Sequence, residues 1–335
     1  MTMGVVLGGG CGDGRRLSND VTPEAATHRL ASYEHTCAIR QSGLFCWGYD
    51  SLGQLGTGTT ADGFVGPVEA VVAGADAVEV AVGTTHTCVR HASGQVSCWG
   101  GNNYGQLGGG TVSPFSTDAV TVPGIDDALE VAAGFDSTCV RRTDGTVACW
   151  GAAEAPATNP GSLVPVAIRG LTDVVQLVGS NYDYCARQGD GNVSCWTFSY
   201  NGPGAPAPAG LPAAREMSAA HTVCVVSAAS GEVVCHDDAV PPPSPVPGLT
   251  NPIKLSAGET VTCALDANGG VTCLDIFGFL AQTTATGQVI AFPADIPAVD
   301  IAVGAFGFCA LRGDDSIACL TEPATTLTPV GNLPP

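Results

Sequence analysis

Lysine is almost missing from this 335-residue chain: Lys254 is the only one, and Lys and Arg together number 12 against 31 Asp and Glu, for a formal net charge of −19. A field this negative disfavours DNA, RNA and anionic lipid as partners unless a local basic patch overrides it, and the arginines form no patch. No run of eighteen apolar residues exists, so no membrane span is expected. Amphipathic stretches long enough for a helix of more than two turns are also lacking, and only 13% of residues are charged. The chain contains no H-E-x-x-H, G-x-S-x-G or P-loop pattern, and the run from Gly8 to Gly12 fails dinucleotide spacing because Asp13 stands where the third glycine belongs. These absences argue against an enzyme and leave no cofactor or metal to expect.

Cysteine, glycine and proline are what the chain has in excess. Gly contributes 45 positions and Pro 23, an all-β composition rich in turns. Fourteen of the 15 cysteines fall into couples nine to eleven residues apart: Cys37 with Cys46, Cys88 with Cys98, Cys139 with Cys149, Cys185 with Cys195, Cys224 with Cys235, Cys263 with Cys273 and Cys309 with Cys319. First cysteines recur every 39 to 51 residues, a period that accommodates four short strands. Seven such periods predict a seven-bladed β-propeller.

Each couple reads as an antiparallel hairpin. If Cys88 faces Cys98, the loop is Ala92-Ser93-Gly94, and a three-residue loop favours a left-handed residue at its third position. Gly94, Gly145, Gly191 and Gly269 stand there, with Asp315 in the seventh repeat. That register sets the cysteines directly opposite each other, within disulfide reach. Seven cross-strand disulfides imply an oxidising location, outside the cell or at its surface. Histidines do not accompany the couples at zinc-ligand spacing, and His35, His86 and His221, which precede cysteines in three repeats, read as packing or hydrogen-bonding residues.

Trp47, Trp99, Trp150 and Trp196 each follow a second cysteine and read as wedges between blades. Residues 1–25 read as a flexible, Gly-rich leader and 26–335 as the propeller. Cys11 follows Leu7-Gly8-Gly9-Gly10, which is similar to an imperfect lipoprotein cleavage site; it is either a lipid anchor point or an ordinary free thiol. The tail, Thr325 to Pro335, is similar to the outer-strand segments and lacks a following inner strand, whereas Leu30-Ala31-Ser32 is an inner-strand candidate. The terminal strands are therefore expected to share a blade and close the ring.

The stretch Gly83-Thr84-Thr85-His86-Thr87-Cys88, continuing through Gly94 to Cys98-Trp99-Gly100, Asn102 and Gly105-Gln106-Leu107-Gly108, resembles the regulator of chromosome condensation repeat family. Two repeats match strongly, one moderately and four only in the cysteine frame. The resemblance implies a seven-bladed propeller, in agreement with the count of couples. It implies less about function, since the family includes a nucleotide-exchange factor for a small nuclear GTPase and a secreted bacterial inhibitor of β-lactamases. The cysteine-coupled form looks like secreted or surface proteins of bacteria.

Recognition of an unknown protein partner by a monomer is the expected role, through loops after the second cysteines that carry Tyr49, Asp50, Asn103, Tyr104, Phe198 and Tyr200. The alternatives are an exchange factor or scaffold for a small GTPase, a secreted enzyme inhibitor, and a propeller hydrolase or lyase using His236, Asp237 and Asp238.

Overall fold

The structure is a computed structural model that describes residues 28–152, 161–199, 202–219, 223–237, 240–258, 261–275, 288–292, 296–304, 307–321 and 328–331. Seven separate antiparallel sheets follow one another along the chain, each built from consecutive strands. Blade 2 shows the pattern. Its innermost strand Ala77–Val82 pairs with His86–His91, which pairs with Val96–Gly101, which pairs with the outermost strand Phe115–Thr121. In blade 4 two short segments, Gly202–Pro203 and Ala207–Pro208, share the outermost place.

All seven cysteine couples are disulfides, with Cα–Cα distances of 4.0–4.1 Å. In chain order, Cys37 bonds to Cys46, Cys88 to Cys98, Cys139 to Cys149, Cys185 to Cys195, Cys224 to Cys235, Cys263 to Cys273 and Cys309 to Cys319. Every pair joins directly opposed residues of the second and third strands, as the hairpin register requires. Cys273 is fully buried, whereas Cys195 and Cys235 are only partly buried, against the clusters that follow their blades. The turns agree as well. Gly94, Gly145, Gly191 and Gly269 have φ between +75° and +87°, and Asp315 has φ +67°. Each bridge closes a loop of about ten residues, a constraint on the unfolded chain of roughly 2.5–3 kcal/mol by chain entropy.

The core is not one mass but seven apolar clusters, one between each pair of neighbouring blades. Each tryptophan is a wedge in such a cluster and shares it with the disulfide of the preceding blade: Trp99 with Cys37 and Cys46, Trp150 with Cys88 and Cys98, Trp196 with Cys139 and Cys149, and Trp47 with Cys309 and Cys319. The glycine after the tryptophan is required by space as well as by φ. At Gly100, with φ +98°, a Cβ would lie 2.5 Å from Thr85 O.

The ring is not closed by a shared blade. The first sheet holds Leu30–Ser32 through Ala61–Glu69 and the last holds Ala298–Gly304 through Thr328–Pro329, with no strand exchanged between them among the described residues. The tail strand Thr328–Pro329 simply completes its own blade by pairing with Cys319 and Ala318. Closure comes instead from side chains of blade 7. Asp300 Oδ2 accepts the Arg29 and Leu30 N–H groups at 2.8 and 3.1 Å. Asp315 takes Arg29 Nη2 at 2.9 Å and Gln41 N at 2.9 Å, while its carbonyl accepts Arg40 Nε at 2.8 Å.

The Asp300 contact is one link of a belt. Glu79, Glu130, Gln176, Glu216, Lys254 and Asp300 occupy one equivalent position near the start of the innermost strands. The acceptors among them reach the next blade's backbone: Glu79 to Val131 N, Glu130 Oε2 to Leu177 N at 2.9 Å, Gln176 Oε1 to Met217 N at 3.2 Å and Glu216 to Leu255 N. Lys254 cannot accept, so it donates to Asp300 Oδ1, and Ile301 N turns to Asp300 Oδ1 at 2.8 Å. Between blades 1 and 2 the His28 carbonyl accepts Val80 N at 3.0 Å. Arg90 and Arg141 steady Glu79 and Glu130 from within their own blades, at 2.7 and 2.6 Å.

Candidate functional site

The topology gives the ring two unlike ends. Loops joining the first to the second strand and the third to the fourth lie on what we name the upper face; the disulfide hairpin turns and the connections between blades lie at the lower end. Of the twelve Lys and Arg, Arg15 and Arg16 fall outside the described residues, and the other ten all sit at the lower end. They stand at the starts of innermost strands, as Arg29, Arg215 and Lys254 do, at the ends of second strands, as Arg40, Arg90 and Arg187 do, or in a connection between blades, as Arg169 does. The upper face keeps Glu34, Asp62, Asp136 and Asp183 and, among the described residues, has no Lys or Arg.

This acidic face carries exposed aromatic side chains. Phe64 is 71% exposed and meets Tyr49, 43% exposed, edge to face at 6.4 Å between ring centres. Phe115 stands exposed on blade 2. Beside Phe64 a groove of about 70 Å³ opens between blades 7 and 1, walled by Tyr33, Trp47, Phe308 and Leu320. At the ring centre the innermost strands enclose an axial channel of about 140 Å³. Its upper mouth is barred by Tyr33, whose Oη donates to Asn181 Oδ1 across the ring at 2.8 Å, and Phe135 stacks on Tyr182 at 5.4 Å beside it.

The loops Gly53-Gln54-Leu55-Gly56 and Gly105-Gln106-Leu107-Gly108 also lie on this face, but their work is structural. The Gln54 carbonyl accepts Trp99 Nε1 at 3.0 Å and Thr87 Oγ1 at 2.7 Å, and Thr87 in turn meets His35 Nε2 at 2.7 Å. Because the Thr87 hydroxyl proton goes to Gln54, His35 must donate through Nε2. The same relay recurs one blade on through His86, Thr138, Gln106 and Trp150. His35 and His86 are therefore hydrogen-bonding residues, and burial lowers them to about 3 and about 4. His221 lies outside the described residues.

The residues expected to touch a partner divide. Tyr49 and Asn103 are exposed and Tyr104 is half-buried, all on the upper face. Asp50 is corrected to a structural role: it is 2% exposed, and its Oδ1 accepts Leu55 N at 2.9 Å, as Asn102 does for Leu107 N. Phe198 is corrected likewise, being fully buried in the cluster between blades 3 and 4, because its place on the third strand points it into that seam. Tyr200, Cys11 and Asp238 lie outside the described residues. His236 and Asp237 end a strand of blade 5. Among the described residues no three His, Cys, Asp or Glu are grouped to hold a metal ion. Sequence reasoning missed Phe64, Phe115 and Tyr33, which lie outside the cysteine frame; the signal for Phe64 was an aromatic bracketed by Gly63 and Gly66 on an outermost strand.

The regulator of chromosome condensation (RCC1) repeat signature matches residues 42–90, 77–106 and 129–153, the stretch that holds the tryptophan relays. The matched repeats, which lie within residues 42–153, are RCC1 repeats. Over 127 residues the chain is 35% identical to the ultraviolet-B receptor UVR8 of Arabidopsis thaliana, a match that covers 35% of this chain and 28% of that one. The chain thus spans less than a third of the length of the curated relatives it matches. Prp20p of Saccharomyces cerevisiae superposes with a TM-score of 0.66 at 18% identity, covering 82% of this chain and 80% of that one. The CRINKLY ectodomain of the Arabidopsis thaliana receptor kinase ACR4 does so with 0.60 at 18% identity, over 91% and 98%. At that identity the likeness is one of fold, a seven-bladed RCC1-type propeller. Among the described residues no helix is long and apolar enough to cross a membrane.

Proposed function

We propose that this propeller is an exported, non-catalytic binding module whose upper face docks a basic protein partner. The observation that carries the reading is the segregation of cations: every described Lys and Arg stands at the lower end, so the charged side chains described on the face bearing Tyr49, Phe64 and Phe115 are acids. Aromatic anchors within a field of one sign suit a partner of the opposite sign, with the rings supplying affinity and the field supplying association rate. The disulfides and the belt hold the face rigid, so little ordering entropy is lost on binding. Seven disulfides fit an oxidising location. Prp20p, of the same fold, has been studied for its binding to Gsp1p and histones, and has been solved with Kap60.

Cross-linking in the producing cells recovers the partner, and the complex is then remade from purified components. Asp62→Lys with Asp183→Lys should slow association at least about tenfold at low salt, with the difference shrinking as salt is added. An equal loss from Asp314→Lys at the lower end, or none from the upper-face pair, refutes the assignment of the face.

A further inference from the structure

We propose that the groove between blades 7 and 1 is a socket for a leucine-bearing loop of the basic protein partner, which fills in trans what blades 1 and 2 fill from their own chain. The inference rests on the reading of the upper face as a protein-binding surface and names what that face would read.

Two seams show the occupied form. Between blades 1 and 2, Trp99 donates its indole N–H to Gln54 O, and Leu55, fully buried, sits in the cluster with Trp99 and the Cys37–Cys46 bridge. Gly56 lies so close that a Cβ there would fall 2.8 Å from the indole nitrogen. Between blades 2 and 3 the same parts are Trp150, Gln106, Leu107, Gly108 and the bridge from Cys88 to Cys98. In both, tryptophan and disulfide form the receptacle, and a Gly-Gln-Leu-Gly turn is the plug.

Among the described residues, the seam between blades 7 and 1 has the receptacle without a Gly-Gln-Leu-Gly plug. Trp47 packs on Cys309 and Cys319 as Trp99 packs on Cys37 and Cys46. The stretch joining the third and fourth strands of blade 7, 322–327, is short and contains no Gly-Gln-Leu-Gly. A largely apolar groove opens here on the upper face, with Trp47, Phe64, Phe308 and Leu320 around it and the Cys309–Cys319 bridge in its lining. Trp47 is the most exposed of the four tryptophans, at 8%, and Cys309 and Cys319 keep 6% and 5% exposure where Cys37, Cys46, Cys88 and Cys98 have none. Trp196 is a second indole beside a blade without the motif: the sequence between the third and fourth strands of blade 3 also lacks it, and the Trp196 N–H has no partner among the described residues.

The occupant follows from the parts. It must offer a carbonyl to the indole and an aliphatic side chain to the disulfide, on a turn tight enough to approach the ring. Glu34 lines the groove and Asp62 lies two residues from Phe64, so a basic flank on the turn is favoured. A second copy of this chain is a poor occupant: its own Leu55 and Leu107 are fully buried, and it would bring one acidic face against another.

The test uses the intact, oxidised protein and the peptide KSLGQLGTK, which is residues 51–57 of this chain between two lysines. Indole N–H signals are assigned by replacing each tryptophan with phenylalanine. The expected result is a saturable downfield shift of the Trp47 signal with Trp99 and Trp150 unmoved. Trp47→Phe should weaken binding about tenfold, the loss of one hydrogen bond. Phe64→Ala should weaken it too, and because Phe64 is so exposed this variant leaves the fold intact. A Trp47 signal indifferent to millimolar peptide overturns the proposal, and so does an equal response to the peptide whose second leucine is replaced by aspartate. With the remade partner complex, weakening by Asp62→Lys but not by Trp47→Phe leaves the upper face as the binding surface and removes the socket; weakening by neither removes both.

Discussion

Replacing Asp300 with alanine should open the ring at its closing seam. The carboxylate is 3% exposed and makes three kinds of contact: Oδ2 holds the Arg29 and Leu30 N–H groups of blade 1, Oδ1 pairs with Lys254 of blade 6, and Oδ1 also takes Ile301 N. Removing one partner of a buried ion pair costs about 3–5 kcal/mol, because the other charge is left uncompensated. Lys254 would be that charge, at 9% exposure, and it is already the main reason His28 is held down at about 3. Orphaning Leu30 N adds about 1–3 kcal/mol. A total near 4–8 kcal/mol is expected, a fall in melting temperature of roughly 6–12 °C for a domain of this size. The assay is denaturant and thermal unfolding with disulfides intact, with amide exchange at Leu30 and Val80 to locate the opening. Adding Lys254→Met removes the stranded ammonium and should restore about half of the loss. A single variant within 1 kcal/mol of the parent would refute the reasoning, as would a double variant no better than Asp300→Ala.

Three further outcomes are expected. Burial raises Glu216 to about 7, against the pull of Lys254. The folded state then binds more protons than the unfolded one between about pH 4.5 and 7, so this group's contribution to stability falls as pH rises through that window; Glu216→Gln should flatten the fall in unfolding titrations. His86, lowered to about 4 by burial, has the opposite sign: stability is lost as pH falls from about 6.5 towards 4, and His86→Gln should remove that part of the acid sensitivity. Leu107→Ala should cost about 2–5 kcal/mol by equilibrium unfolding, since the side chain is fully buried between blades 2 and 3.

The fold was legible because cysteine couples fix two strands per blade at once, including register: a bridge from Cys88 to Cys98 and a left-handed residue at Gly94 are two local readings of one hairpin. Ring closure was not legible, because it depends on long-range side-chain contacts. Asp300 lies some 270 residues from Leu30, and no local pattern announces that pairing. The belt did leave a trace in Glu79, Glu130, Gln176, Glu216, Lys254 and Asp300, a polar residue just before each run of apolar innermost-strand residues. Its mixed chemistry hides it from a search for one residue type. Of the candidate contacts, Asp50 and Phe198 are buried, because a place just after the second cysteine does not by itself set exposure. One caps Leu55 N and the other continues the inward alternation of its strand.

The placement of every described Lys and Arg at one end decides how the charges of each end act. Most of the described acids stand at that same end, and the cations are paired with them, as Arg29 is with Asp315, Arg141 with Glu130 and Arg142 with Asp127. The charges of the lower end are thus largely engaged with one another, whereas those described on the upper face meet no Lys or Arg there and act outward, drawing cations and repelling anions.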